Sequence, residues 1–225
     1  KLKLLCPDKE YFSEEGFRFL KKFIDVDYKD LSQSQFNKEI SKYDFLLMRF
    51  MTNLTKKIIN KSKLKAVISV TTGLDHIDLE VLKIKNIKIF NLNNKIFLKN
   101  IRASIEHTIF LIISLSRINF LNEKNYTFFP RKEMIGTELF NKKIGIIGYG
   151  RIGKEISKIL YTFGAKIYFY DKHINTLKFK NTVRLKSLTS IFKHCDIISI
   201  NVTLKGNENL INERHFKKAR KNLKL

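Results

Sequence analysis

No stretch constrains this chain more than residues 143–153, Lys-Ile-Gly-Ile-Ile-Gly-Tyr-Gly-Arg-Ile-Gly. An apolar run suited to a buried parallel strand ends in Gly148-x-Gly150-x-x-Gly153. A segment of helical period follows, with Ile152, Ile156, Ile159, Leu160 and Phe163 on one face. Gly164 stops that helix, and a second strand, Lys166 to Tyr170, delivers Asp171. This strand, glycine turn, helix and strand turn a weak glycine pattern into a dinucleotide-binding fingerprint. Gly148 allows the tight turn, Gly150 lets a pyrophosphate approach the backbone, and Gly153 lets the helix pack close to the strand. The helix N-terminus offers unpaired N–H groups and a positive dipole to the phosphates. Asp171 lies 18 residues after Gly153. A carboxylate there accepts from a ribose 2′-OH and repels a 2′-phosphate, so NAD is expected over NADP.

The length of 225 residues permits one large domain or two small ones. Cys6 and Cys195 are far apart and form no metal or redox spacing, which fits a reducing, cytoplasmic setting. No N-terminal segment has signal-peptide architecture, and the longest apolar stretch, Ile109 to Leu115, is too short to span a bilayer. The net charge of +23 invites a nucleic-acid partner. The composition argues otherwise: Lys 35, Ile 30 and Asn 19 against Arg 9 is the drift of an AT-biased coding sequence. The lysines are scattered and not interleaved with aromatics, so neither nucleic acid nor membrane is expected as a partner.

Along the chain, strands are expected at Leu2 to Cys6, Phe45 to Met48, Ala66 to Val70 and Lys88 to Asn91. Helices are expected from the Ser13 cap to Lys22 and from the Asp78 cap to about Lys85. A helix from Ile101 to about Ile118 is hydrophobic nearly all round, so it should be buried between layers. Residues 120–141 read as irregular, around Pro130. Beyond the fingerprint come a helix at Ser187 to Phe192, a strand at Cys195 to Val202 and a helix at Glu213 to Lys221. Strands alternating with helices imply an α/β chain of parallel sheets with right-handed crossovers, in two lobes.

Several segments in order carry a resemblance. Ile68 to Asp78, with Thr72-Gly73-Leu74-Asp75-His76-Ile77-Asp78, is similar to a Gly-x-Asp-x-Ile-Asp segment. Ala103-Ser104-Ile105-Glu106-His107-Thr108 is similar to an Ala-Glu-His-Thr helix start. With Gly145 to Gly153, Tyr170-Asp171, and Cys195 to Leu204 followed by Asn209 to Asn212, the chain resembles the NAD-dependent D-isomer-specific 2-hydroxyacid dehydrogenases nearly end to end. The resemblance implies two Rossmann-like doubly wound parallel-sheet lobes. One is a flavodoxin-like substrate lobe over 1–98; the other is an NAD-binding lobe over 99–225, truncated.

It also implies roles. The Thr72-Gly73-Leu74 loop would present N–H groups to a substrate carboxylate, with Thr72 facing the cofactor as well. Arg49 would be a cleft arginine suited to a carboxylate or phosphate. Ser104 would lie near the nicotinamide. Gly148, Tyr149, Gly150, Arg151, Ile152 and Gly153 would form the pyrophosphate and adenosine loop, with Asp171 on the ribose and Val202 and Thr203 lining the pocket. Small 2-hydroxy or 2-keto acids would be the substrates, and the full-length protein a homodimer.

Departures stand beside these matches. Asn201-Val202-Thr203-Leu204 replaces His-x-Pro-Leu, the loop Lys205 to Asn209 is one residue short, and Asn93-Asn94-Lys95 replaces a Gly- or Pro-containing turn. The family's catalytic Arg, Glu and His have no counterpart, so no catalytic residue is assigned. The chain is expected to be a C-terminally incomplete piece that binds NAD without turnover. The alternatives are an NAD-sensing, corepressor-like binding protein or a decayed pseudoenzyme. Glu106 and His107 are adjacent on a helix and point about 100° apart, which disfavours a shared proton. Asp75, His76 and Asp78 read as a turn and helix cap with no fourth metal ligand nearby.

Overall fold

Strands pair only in parallel within the two sheets of the computed structural model, which describes residues 1–117, 136–174, 181–204 and 206–225. Parallel neighbours need long crossovers, and helices supply them here. The chain divides into Lys1–Lys99 and Asn100–Leu225, each with its own sheet.

The first unit contains β1 (Lys3–Cys6), α1 (Glu14–Lys21), β2 (Asp25–Tyr28), α2 (Gln33–Glu39), β3 (Phe45–Met48), α3 (Lys56–Lys61), β4 (Ala66–Ser69), α4 (Leu79–Ile84), β5 (Lys88–Asn91) and all but the last residue of α5 (Lys95–Asn100). The strand order β2-β1-β3-β4-β5 is that of a flavodoxin-like sheet. Alternation along each strand splits its apolar residues between two faces. Leu5, Leu46, Met48 and Val67 bury against Phe36, Ile59 and Leu82 on one face, while Leu4, Cys6 and Val26 meet Phe17 and Leu20 on the other. Each such fully buried side chain contributes roughly 1.5–3 kcal/mol. The helix starts follow their caps: Ser13 accepts from the Gly16 N–H at 3.1 Å and Asp78 from Val81 at 3.2 Å.

The second unit contains α6 (Ala103–Ser116), β6 (Lys143–Ile147), α7 (Arg151–Thr162), β7 (Lys166–Tyr170), β8 (Thr182–Arg184), α8 (Leu188–His194), β9 (Ile197–Ile200) and α9 (Glu213–Phe216). Its order β8-β7-β6-β9 fills the first four places of the 3-2-1-4-5-6 dinucleotide-binding sheet. Lys224 forms a parallel bridge with Ile197, and the Ile198 N–H donates to the Lys224 carbonyl at 2.9 Å.

The expected helix from Ile101 begins at Ala103, and Ile118 and residues 120–135 lie outside the described residues. It is not buried all round. Ile105 and Ile112 enter the core, whereas Phe110 is 60% exposed and Leu111 and Ile113 also face solvent, because only one stripe of α6 lies on core side chains of its own unit. The helix expected to reach Lys221 ends at Phe216, since Ala219 and Leu223 turn back onto the Phe192 cluster and the Arg220 N–H bonds the Phe192 carbonyl at 3.2 Å. Phe163, placed on the apolar stripe of α7 by period, is exposed past the helix end, while Ile156 and Leu160 are fully buried.

Candidate functional site

The glycine loop joins β6 to α7, and its three glycines have three distinct reasons. Gly148 has φ +89°, and a Cβ there would lie 2.5 Å from the Asn201 carbonyl oxygen. A Cβ on Gly153 would overlap the Gly148 carbonyl oxygen and crowd Ile146. At Gly150 a Cβ would meet nothing within 4 Å, so this residue leaves open space rather than filling a tight one. Gly150 is also the N-cap of α7 and offers no side chain to the first-turn N–H groups. Those donors, with the helix dipole behind them, face a space that a phosphate fits.

Asp171 follows β7 on the neighbouring strand. Its Oδ2 accepts from the Tyr149 N–H at 2.7 Å, and its Oδ1 accepts from His173 at 2.8 Å and Ile174 at 3.0 Å. Burial by itself would raise its pKa, but these N–H donors together outweigh that and hold it below the ordinary aspartate value. It is therefore ionised at neutral pH. A cavity of about 60 Å³ lies beside it, lined in part by Gly148, Val202 and Leu210. Lys172 ties the far wall by donating to the Gly206 carbonyl at 3.3 Å and Asn207 Oδ1 at 3.2 Å.

Tyr149 lies within the glycine loop and turns its side chain inward, away from the open space over Gly150. Its ring is fully buried, stacked on Phe169 at 3.9 Å between centroids, and its N–H is taken by Asp171. Its side chain is a core anchor under the loop and cannot line a cofactor. Arg151 donates through a guanidinium nitrogen to the Ile101 carbonyl at 3.2 Å, and one turn later Glu155 pairs with Arg102 at 3.0 Å. These contacts place the start of α6, with exposed Ser104 in its first turn, beside the first turns of α7. Ile152 packs half-buried on the core. Val202 touches the space above Gly148, and Thr203 is exposed just beyond it. The structure thus brings the three glycines, Asp171 and Val202 together.

The other candidate residues lie in the first unit, on loops leaving the C-terminal ends of β3 and β4. After β4, the Ser69 and Thr71 hydroxyls are 2.7 Å apart, and Thr71 Oγ1 donates to the Gly73 carbonyl at 2.7 Å. Thr72 and Gly73 are exposed and Leu74 rests on the core. Among the described residues the N–H groups of Thr72, Gly73 and Leu74 make no hydrogen bond, so the loop can present them to an anion. Arg49, one residue past β3, has its guanidinium 5.1 Å from the Tyr11 ring and 5.3 Å from the Phe50 ring. No carboxylate among the described residues pairs with it. Burial lowers the His76 pKa, against the pull of Asp75 and Asp8.

Sequence reasoning missed Asp8. It sits two residues beyond β1, is 2% exposed, and accepts from the Arg49 N–H at 2.6 Å. An Asp after a short strand carries no signal by itself; only the pairing of β1 with β3 brings it to Arg49.

Residues 6–95 match the family model described as D-isomer specific 2-hydroxyacid dehydrogenase, catalytic domain, and residues 111–225 match that of the same family's NAD binding domain. The chain is 28% identical over 232 residues to a D-3-phosphoglycerate dehydrogenase of Bacillus subtilis, covering 99% of this chain and 42% of that protein. It is 32% identical over 196 residues to the Haemophilus influenzae D-3-phosphoglycerate dehydrogenase, covering 84% and 47%. The chain thus spans less than half the length of these curated relatives. The solved structure of a D-lactate dehydrogenase from Aquifex aeolicus, complexed with NAD and lactic acid, has the same fold, with a TM-score of 0.79 at 24% identity over 98% of this chain and 67% of that one.

Proposed function

This chain belongs to the D-isomer specific 2-hydroxyacid dehydrogenase family, and we propose that the protein it represents is an NAD-dependent oxidoreductase acting on the CH–OH group of a D-2-hydroxy acid. The observation that carries this reading is the loop at Gly148–Gly153 with open space over Gly150 and an ionised Asp171 on the adjacent strand. When bound, NAD supplies a nicotinamide carbon that accepts or donates hydride. The chain's own residues bind and orient. The first-turn N–H groups of α7 hold the pyrophosphate, and Asp171 accepts from a ribose hydroxyl with the one lone pair its three backbone donors leave over. The N–H groups of Thr72, Gly73 and Leu74 and the Arg49 guanidinium hold the carboxylate of the 2-hydroxy or 2-keto acid. Ser104, Arg151, Ile152, Val202 and Thr203 line the cofactor side, with Tyr149 contributing only from beneath.

We assign residues 1–98 to the substrate lobe and 99–225 to the NAD-binding lobe. The exposed apolar stripe of α6 suits a second copy of the chain, which favours a homodimer of the complete protein. Two unpaired, buried cysteines suit a cytoplasmic setting. No helix among the described residues is long and apolar enough to cross a membrane.

Calorimetric titration of the chain with NAD and with NADP tests the reading. NAD should bind at least about tenfold more tightly, a difference of about 1.4 kcal/mol, because Asp171 repels a 2′-phosphate. Equal or tighter NADP binding would overturn the role of Asp171.

A further inference from the structure

Among the described residues, four side-chain polar atoms are buried without a hydrogen-bond partner, and three of them lie on the two loops that leave β1 and β3: Asp8 Oδ1, Arg49 Nε and Thr52 Oγ1. These strands are parallel neighbours, so their loops emerge side by side. A buried carboxylate with one unpartnered oxygen is costly to keep unless it does something. Its other oxygen holds the Arg49 N–H at 2.6 Å.

The Asp8 loop is a rigid post. Leu31 donates to the Pro7 carbonyl at 3.0 Å, Lys9 to Lys29 at 3.1 Å, and the Tyr11 N–H to the Asp8 carbonyl at 3.1 Å. That same loop brings the Tyr11 ring to the Arg49 guanidinium. Arg49 is therefore gripped twice by one loop, at its backbone by Asp8 and along its side chain by Tyr11. A guanidinium recognises a carboxylate through a fixed planar fork, so its orientation decides whether two parallel hydrogen bonds can form.

We infer that Asp8 is a positioning residue, whose buried carboxylate fixes the Arg49 backbone so that the guanidinium stands beside the Tyr11 and Phe50 rings, ready for a carboxylate anion. This rests on reading Arg49 as the anion ligand. Burial raises the Asp8 pKa, against the pull of the Arg49 N–H and guanidinium. A neutral asparagine retains the acceptor oxygen that the Arg49 N–H needs.

The test is oxalate binding to the 225-residue chain, followed by amide shifts, for the parent, Arg49→Met, Asp8→Ala and Asp8→Asn. Arg49→Met should abolish binding, Asp8→Ala should weaken it by about tenfold, and Asp8→Asn should stay within about threefold of the parent. NAD affinity, which depends on the other unit, should not change in any of them. If Arg49→Met binds oxalate like the parent, the reading of Arg49 fails and this proposal with it. If Arg49→Met is silent but Asp8→Ala binds like the parent, only the proposal fails. Should Asp8→Ala not fold, the parent decides. The Arg49 amide proton must shift downfield and titrate in step with the Asp8 carboxyl, and an Arg49 amide indifferent to that titration overturns the proposal.

Discussion

Gly150→Ala should cut NAD affinity by about tenfold or more while leaving stability within about 1 kcal/mol of the parent, whereas Gly153→Ala should lose both. The two substitutions add the same methyl group to the same loop, and only the surroundings differ. A Cβ at Gly150 meets no protein atom within 4 Å, so its only obstacle is a bound phosphate. The stability allowance covers the poorer N-cap that alanine makes. At Gly153 the new carbon would overlap the Gly148 carbonyl oxygen, and α7 would have to move off β6. Overpacking of this kind costs about 1–3 kcal/mol, and at roughly 2–4 °C per kcal/mol for a chain of this size it shows in a melting curve. A Gly150→Ala chain that binds NAD like the parent would place the phosphates somewhere else.

Asp171→Asn should be destabilising by about 2 kcal/mol at neutral pH and should weaken NAD as well. The Asp171 carboxylate accepts three backbone N–H groups through two oxygens. An amide has one oxygen, so its NH₂ must face a donor, which is left unsatisfied at a cost of about 1–3 kcal/mol. The pH dependence gives a second signature. Asp171 is held below the ordinary aspartate pKa in the fold, so its contribution is fully present above the unfolded value of about 3.9 and is lost as pH falls through the folded value. The gap between parent and variant, measured by denaturant unfolding, should therefore narrow once the pH drops below about 4. A gap that stays constant down to strong acid would show that the carboxylate's charge is not what the three donors hold.

The strand with an unbroken apolar run, Phe45–Met48, falls where the residues alone put it, and so does Lys88–Asn91, where Ile89 and Phe90 follow the helix stop. β2, with Asp25 and Asp27 alternating, lacks that run, and α2 buries only Phe36, so neither gave a period to read. α5 was hidden by the Asn93-Asn94-Lys95 departure. In the structure Asn94 is the reason a helix starts there, because its Oδ1 accepts from the Ile96 and Phe97 N–H groups at 2.9 and 3.1 Å. β8 is three residues long and carries no pattern of its own.

Among the site residues, the glycines and Asp171 were readable because each residue type answers one local requirement. Tyr149 was readable as a loop position but not as a stacking partner of Phe169, which depends on how β7 lies beside β6. Asp8 was not readable at all, since its meaning comes from a residue 41 positions away.

The most direct measurement is an NAD titration of the isotope-labelled chain followed by its backbone amide resonances. The expected result is saturable shifts centred on Gly150, Arg151, Ile152 and Gly153, with Asp171 and Val202 following and the amides of β1–β5 still. Shifts that avoid the α7 N-terminus, or no saturable binding at all, would contradict the assignment of this loop as the dinucleotide site.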